Sequence, residues 1–191
     1  MASELIKLQR RKEAKNKLKE INRKREHFYL IHYSCESFYD IKDGRTPRIT
    51  SIAIRNFDSA HTYGFSIHKT AEQKKINFQN ISESYDELEK GMWAEYFEYL
   101  ELNRRSYYIH WNMRDINYGF QALEHRFKVL GGKPYLLDND RKIDWARILI
   151  NHYGVRYTSD GDHGRLHSIC ELNKIKGKDM LNGKEEAIAF N

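Results

Sequence analysis

One stretch constrains the fold more than any other: Tyr107 to Gly132, YYIHWNMRDINYGFQALEHRFKVLGG. It opens on a short apolar run, Tyr107-Tyr108-Ile109, behind Arg104-Arg105, and passes through His110-Trp111-Asn112 to Asp115. From Ile116 the period changes. Ile116, Phe120, Leu123, Phe127 and Leu130 recur at alternating spacings of four and three, which is one face of a helix. Gly131-Gly132 and Pro134 supply the stop. The stretch therefore predicts a buried strand, a tight turn and a long amphipathic helix. Polar groups at such a turn lie at the carboxyl end of the strand, where open α/β sheets place their ligands. Asp115 reads either as a helix cap alone or as a cap that also serves a site.

The rest of the chain supplies partners for that strand and helix. His27 to Tyr33, Arg48 to Arg55 and His61 to His68 are aromatic and β-branched runs joined by short turn-rich segments, which predicts an antiparallel meander of three strands. The strand holding Tyr29 and Ile31 is expected at the centre, beside both the Ile52 strand and the Tyr108 strand. Residues 69–83 are polar and read as loop. Ser84 with Glu87 has the spacing of a capping box, opening a helix with Leu88, Met92, Tyr96 and Leu100 inward. Tyr135-Leu136-Leu137 reads as a fifth short strand. Asp144 to Tyr153 and Arg165 to Ile175 read as helices, and Lys184 to Phe190 as a further helix cut short. That cut predicts that more chain, or a partner, normally follows. Three strands in a meander, then strands alternating with helices, give an α/β fold with a mixed five-stranded sheet flanked by helices.

Charge divides the chain into a basic helical arm, residues 1–26, and a body, residues 27–191. The arm holds ten Lys/Arg and four Glu, a net of +6; the whole chain holds 33 basic and 27 acidic residues, also +6, so the body is balanced. Any contact of the body with nucleic acid then needs a local patch. Leu5, Leu8, Leu18 and Ile21 make a stripe too broken for a coiled coil. The arm reads either as a solvated helix lying on its own body or as a phosphate-contacting or partner-docking element, with Arg10, Arg11, Lys12, Arg23, Lys24 and Arg25 as contacts. No apolar run approaches the length of a membrane span, and the charged N-terminus lacks a secretory signal core. Two cysteines, Cys35 and Cys170, make neither a disulfide framework nor a metal-ligand pattern; a reducing cytoplasm is the expected location.

The element order and its local sequences resemble the ribonuclease H-like fold of the DEDD-type 3′–5′ exonucleases. Family members carry Asp-x-Glu at the end of the first strand, where this chain reads Ser34-Cys35-Glu36-Ser37. Asp43 to Ala53, DGRTPRITSIA, is similar to the family's loop into its second strand. Asn112 and Asp115 answer to the family's Asn and Asp after the fourth strand, one residue closer together than usual. Asn182-Gly183-Lys184-Glu185-Glu186-Ala187 occupies the place of the last motif, without its His or Tyr. The likeness spans roughly residues 27–130, and more loosely 140–190.

The resemblance implies a metal-dependent nuclease site with Mg²⁺ or Mn²⁺ held by Glu36, Asp115 and Glu186. It also implies Glu185 as a substitute base, Asn112 as a nucleic-acid contact, and DNA or RNA as partner. Two-metal phosphodiester cleavage needs carboxylates that hold two ions about 4 Å apart. A serine at position 34 is a poor substitute for a bridging Asp, and the absent His or Tyr would have oriented the attacking water. The expectation is an exonuclease scaffold with impaired catalysis, where Asp40 or Asp138 is the acid to replace the missing one if activity survives. The alternative is a non-enzymatic assembly module whose basic arm docks a protein partner. Asp160-Gly161-Asp162-His163 with His167 resembles a metal cluster, but the glycines favour a loop with Asp162 as a helix cap. Trp111 reads as a core residue or a base-stacking platform, and Cys35 lacks a triad partner.

Overall fold

A computed structural model describes residues 2–36, 46–113, 119–159, 164–177, 181 and 185. Helix α1 (Ala2–Arg23) leads through a 3-10 turn into strand β1 (Phe28–Cys35). Strands β2 (Ile49–Asn56) and β3 (Thr62–Ser66) follow, then α2 (Ile67–Gln73) and α3 (Tyr85–Leu102). Next come β4 (Tyr107–His110), α4 (Phe120–Val129), β5 (Lys142–Asp144), α5 (Trp145–Tyr153) and α6 (Gly164–Leu172). The five strands form one mixed sheet in the order β3-β2-β1-β4-β5. β1 is central: it runs antiparallel to β2, with Ile31 opposite Ile54, and parallel to β4, with Tyr29 opposite Tyr108. This is the α/β fold and the neighbour relation the sequence predicts, consistent with a ribonuclease H-like arrangement.

Alternation along the strands builds two cores. Tyr29, Ile31 and Tyr33 of β1 share a face with Ile52 and Ile54 of β2, Phe65 of β3 and Tyr108 of β4. α3 and α4 cover that face with Leu88, Met92, Trp93, Tyr96, Leu100, Leu123 and Phe127. Phe97 and Phe127 stack at 5.1 Å and tie the two helices together. On the other face Phe28, Ile109 and Ile143 meet Ala14 and Ile21 of α1 and Ile148 of α5, with Leu18 beside them. The second half of α1 is thus part of a core, while residues 4–13 are all exposed. Where β1, β2 and β3 continue past α1, their second face is open: Leu30, His32, Ala53, Arg55, Thr62 and Gly64 are all exposed.

Local chemistry explains several boundaries. α4 ends where Gly131, at φ +75, lets its N–H reach Lys128 O while Gly132 N–H reaches Phe127 O, the paired bonds of a Schellman close. A Cβ on Gly132 would stand 2.1 Å from the Phe127 ring, so glycine is required there. The β2–β3 turn is built by Asn56, whose Oδ1 accepts from Asp58 N–H and Ser59 N–H at 3.0 and 2.9 Å. Asp144 caps α5 by accepting from Arg147 N–H.

Three expectations are corrected. The fifth strand is Lys142–Asp144, not Tyr135–Leu137. Leu137 instead drops into the α3/α4 core, and Ile143 takes the slot beside Ile109. The polar segment after β3 is not all loop: Ser66 caps α2, whose Ile67, Thr70 and Ala71 are buried. Ser84 makes no side-chain capping bond; Glu87 pairs with Lys74 of the facing segment instead. The expected helix start at Ile116 and the helix from Lys184 fall largely outside the described residues.

Candidate functional site

β1 and β4 are parallel neighbours, so Glu36 and Asn112 lie past the carboxyl ends of adjacent strands. At the end of β1 the β1–β2 register shifts between Ser34 and Cys35. Ser34 pairs with Ser51, and its carbonyl accepts from Thr50 Oγ1 at 3.2 Å. Beyond the shift, Glu36 N–H donates to Arg48 O and Arg48 N–H donates to Glu36 Oε2, both at 3.0 Å. The Glu36 carboxylate is therefore half-buried and clasped to the start of β2. The Arg48 guanidinium sits 4.8 Å over the Tyr85 ring.

At the end of β4, His110 is buried. Its Nδ1 accepts from Met113 N–H at 3.1 Å, and its ring stands edge-on to Phe120. Trp111 is half-buried, and Asn112 adopts φ +58, a conformation asparagine tolerates better than most residues. Asp115 and Glu186 lie outside the described residues, as do Asp40, Asp160, Asp162 and His163. Glu185 is described and half-buried. Asp138 precedes a 3-10 turn, with its carbonyl accepting from Arg141 N–H.

The fit of this site to metal is tested by its donors. Among the described residues no group of three or more His, Cys, Asp or Glu is placed to hold an ion. Glu36 brings a carboxylate with one oxygen already bonded to a backbone amide, and Ser34 adds only a neutral hydroxyl. Among the described residues, Glu36 and Ser34 by themselves do not make the carboxylate cage that two divalent ions require.

The strongest electrostatic constellation was absent from the sequence reading. Glu89 of α3 has no exposed surface. Its Oε1 accepts from Ile49 N–H at 3.0 Å, Trp93 Nε1 at 3.2 Å and Arg126 Nε at 3.0 Å. Its Oε2 accepts from Arg126 Nη2 at 2.5 Å. The same guanidinium donates to Asp86 Oδ1 and to Thr46 Oγ1. Burial alone draws the Arg126 pKa down, but hydrogen bonds and charge from Glu89 and Asp86 outweigh it and hold the pKa above its ordinary value. Burial first, then the Glu89 charge, pushes the neighbouring Tyr85 phenol up. Each nitrogen of the guanidinium has a partner and both carboxylate oxygens of Glu89 accept, which makes the cluster a clamp of α3, α4 and β2. Its sequence signal was a Glu and an Arg standing inside the apolar stripes of two helices.

The basic candidates divide by their surroundings. Arg10, Arg11, Lys12, Arg23 and Lys24 are exposed on or just after α1. Arg25 is engaged with the body, 5.0 Å over the Phe57 ring and 3.6 Å from Asp58 Oδ1. No helix among the described residues is long and apolar enough to cross a membrane.

Comparison with protein-family models, curated proteins and solved structures finds no match to this chain.

Proposed function

We propose that the chain is a nucleic-acid-associated domain of ribonuclease H-like build, with phosphodiester cleavage impaired. The observation that carries this reading is the end of the central strand. Glu36 stands beside the end of β4, where an open α/β sheet presents ligand-binding groups, yet its carboxylate is held by the Arg48 amide and Ser34 offers no charge beside it. The basic face of α1 supports association with an anionic polymer, because the cations stand on a helix docked to the body and phosphate neutralisation needs no sequence reading. Any residual activity would be metal-dependent exonucleolysis with Mg²⁺ or Mn²⁺, involving Asp115 and Glu186 together with Glu36. A reducing cytoplasm suits two cysteines, Cys35 and Cys170, that are not joined in a disulfide.

A second reading is favoured by the first turns of α1. Leu5, Ile6 and Leu8 are 67%, 52% and 63% exposed, which suits an assembly module that docks a protein partner through this helix.

Fluorescence anisotropy with labelled single-stranded DNA and RNA across a salt series tests the proposal. The expected result is binding to at least one polymer that weakens steeply with salt. Absence of binding to both at low salt would overturn it and leave the docking reading.

A further inference from the structure

α1 has two longitudinal faces of opposite character. Ala14, Leu18 and Ile21 make the buried face against Phe28, Ile109, Ile143 and Ile148. Lys12, Lys15, Lys19 and Arg23 recur at spacings of three, four and four and are all exposed. At 3.6 residues per turn these four fall within about 80° of one another, on the side away from the buried face. The carboxylates of the same stretch sit elsewhere around the helix: Glu13 accepts from Gln9, and Glu20 pairs with Lys17 at 2.7 Å. The Glu20 carboxyl is held below its ordinary range by that Lys17 bond.

We propose that this stripe, Lys12, Lys15, Lys19 and Arg23, is the surface on which a nucleic-acid phosphate backbone lies. The inference rests on the reading of the chain as nucleic-acid-associated and names the contact surface. Three features choose this occupant. The cations follow one another at a rise of about 4.5–6 Å along the axis, an extended row suited to a linear polyanion. An interfacial membrane helix would need an apolar face free to enter the lipid boundary, and between residues 12 and 23 the apolar face of α1 is spent on the body. An acidic protein would need aromatic or aliphatic anchors at the centre of the contact, and the stripe holds none. Docking through Ala14, Leu18 and Ile21 also fixes the helix in advance, so binding does not have to order its backbone.

The stripe differs from the basic residues singled out by sequence. It adds Lys15 and Lys19, keeps Lys12 and Arg23, and leaves Arg25 to its contact with Phe57 and Asp58.

Two charge-matched variants test the inference, each read by anisotropy with labelled single-stranded RNA and DNA over a salt series. One carries Lys12→Gln, Lys15→Gln, Lys19→Gln and Arg23→Gln. The other carries Lys90→Gln, Arg104→Gln, Lys128→Gln and Lys133→Gln, exposed positions of the body. The stripe variant is expected to bind at least tenfold more weakly at about 0.1 M salt, with its log–log salt slope reduced by about 3. The body variant is expected to stay within about threefold of the parent with its slope intact. Equal weakening in both, with the parent binding well, would overturn the stripe while leaving nucleic-acid association standing. A parent that binds neither polymer would overturn both. Its capture by phosphatidylserine vesicles in that case would assign the stripe to an anionic lipid surface, also against the proposal.

Discussion

Two neighbouring amides at the start of β2 are each bonded to a carboxylate, and the two carboxylates live in different worlds. Ile49 N–H goes to Glu89, which is fully buried and further bonded to Trp93 and Arg126. Arg48 N–H goes to Glu36, which is half-buried at the open end of the central strand. The proposed nuclease-like reading points at Glu36, whereas among the described residues the buried charge concentrates at Glu89. A buried ion pair is dangerous to break and replaceable as a unit, so Glu89 and Arg126 read as a clamp. A half-exposed carboxylate at a strand end is the kind of group a fold can lose without unfolding. Among the described residues, charge buried inside the framework is compensated by several partners at once, whereas the carboxylate at the strand end stays half-open to solvent.

Several changes sharpen or break this contrast. The largest effect is expected at the clamp. Arg126→Met alone leaves Glu89 buried without its counter-charge and should lose about 3–5 kcal/mol of stability in urea unfolding. Glu89→Leu combined with Arg126→Met removes the unpaired charge but leaves Ile49 N–H and Trp93 Nε1 without an acceptor, so it should recover only part of that loss. A double variant as unstable as the single one would show that the clamp is more than a compensated pair.

Alkaline pH should act on the same half of the molecule. Burial raises the phenol pKa of Tyr85, Tyr96, Tyr99 and Tyr108 above the ordinary 10.0. A group raised in the folded state contributes stability that is complete below its unfolded pKa and is lost as pH rises toward the folded value. The urea midpoint is therefore expected to be insensitive to these groups up to about pH 9 and to fall above about pH 10. Tyrosinate absorbance should rise in two populations, the later one with unfolding. A single early rise in the folded protein would contradict the buried cluster.

Glu36→Gln should cost less than Arg126→Met, about 1–2 kcal/mol, since the amide side chain keeps an oxygen that can accept from Arg48 N–H and the position is only half-buried. A loss as large as that of Arg126→Met would erase the distinction between the two carboxylates. The smallest effect belongs to the free end of α1. Removing residues 1–11 should change stability by less than about 0.5 kcal/mol, because residues 4–13 are exposed. Removal through residue 26 would instead strip Ala14 and Ile21 from the core over Phe28 and Ile109.

The framework was legible where periodicity is long and apolar. The alternation of FYLIHYSC and ITSIAIRN, and the four-three spacing from Phe120 to Phe127, translate directly into β1, β2 and α4. β5 was not legible, because Lys-Ile-Asp offers a single apolar residue and is a strand only because Ile143 pairs beside Ile109. α2 was masked by its polar surface residues, and its three buried positions acquire meaning only against α3. The clamp joins residues 37 apart in sequence, a distance over which no local pattern pairs a Glu with an Arg. Asn112 lies just past β4, where the strand-and-turn reading of its own stretch puts it, and Glu36 just past β1, where the resemblance puts it. Asp115 and Glu186 fall outside the described residues.

The most direct test is digestion of labelled single-stranded DNA and RNA with Mg²⁺ and with Mn²⁺ by the parent, Glu36→Gln, Asp115→Asn and Ser34→Asp. Little or no cleavage by the parent is expected, with no further loss in the first two variants. Cleavage gained in Ser34→Asp would place the missing carboxylate at the end of β1. Robust cleavage by the parent, abolished by Glu36→Gln and by Asp115→Asn, would contradict an impaired site.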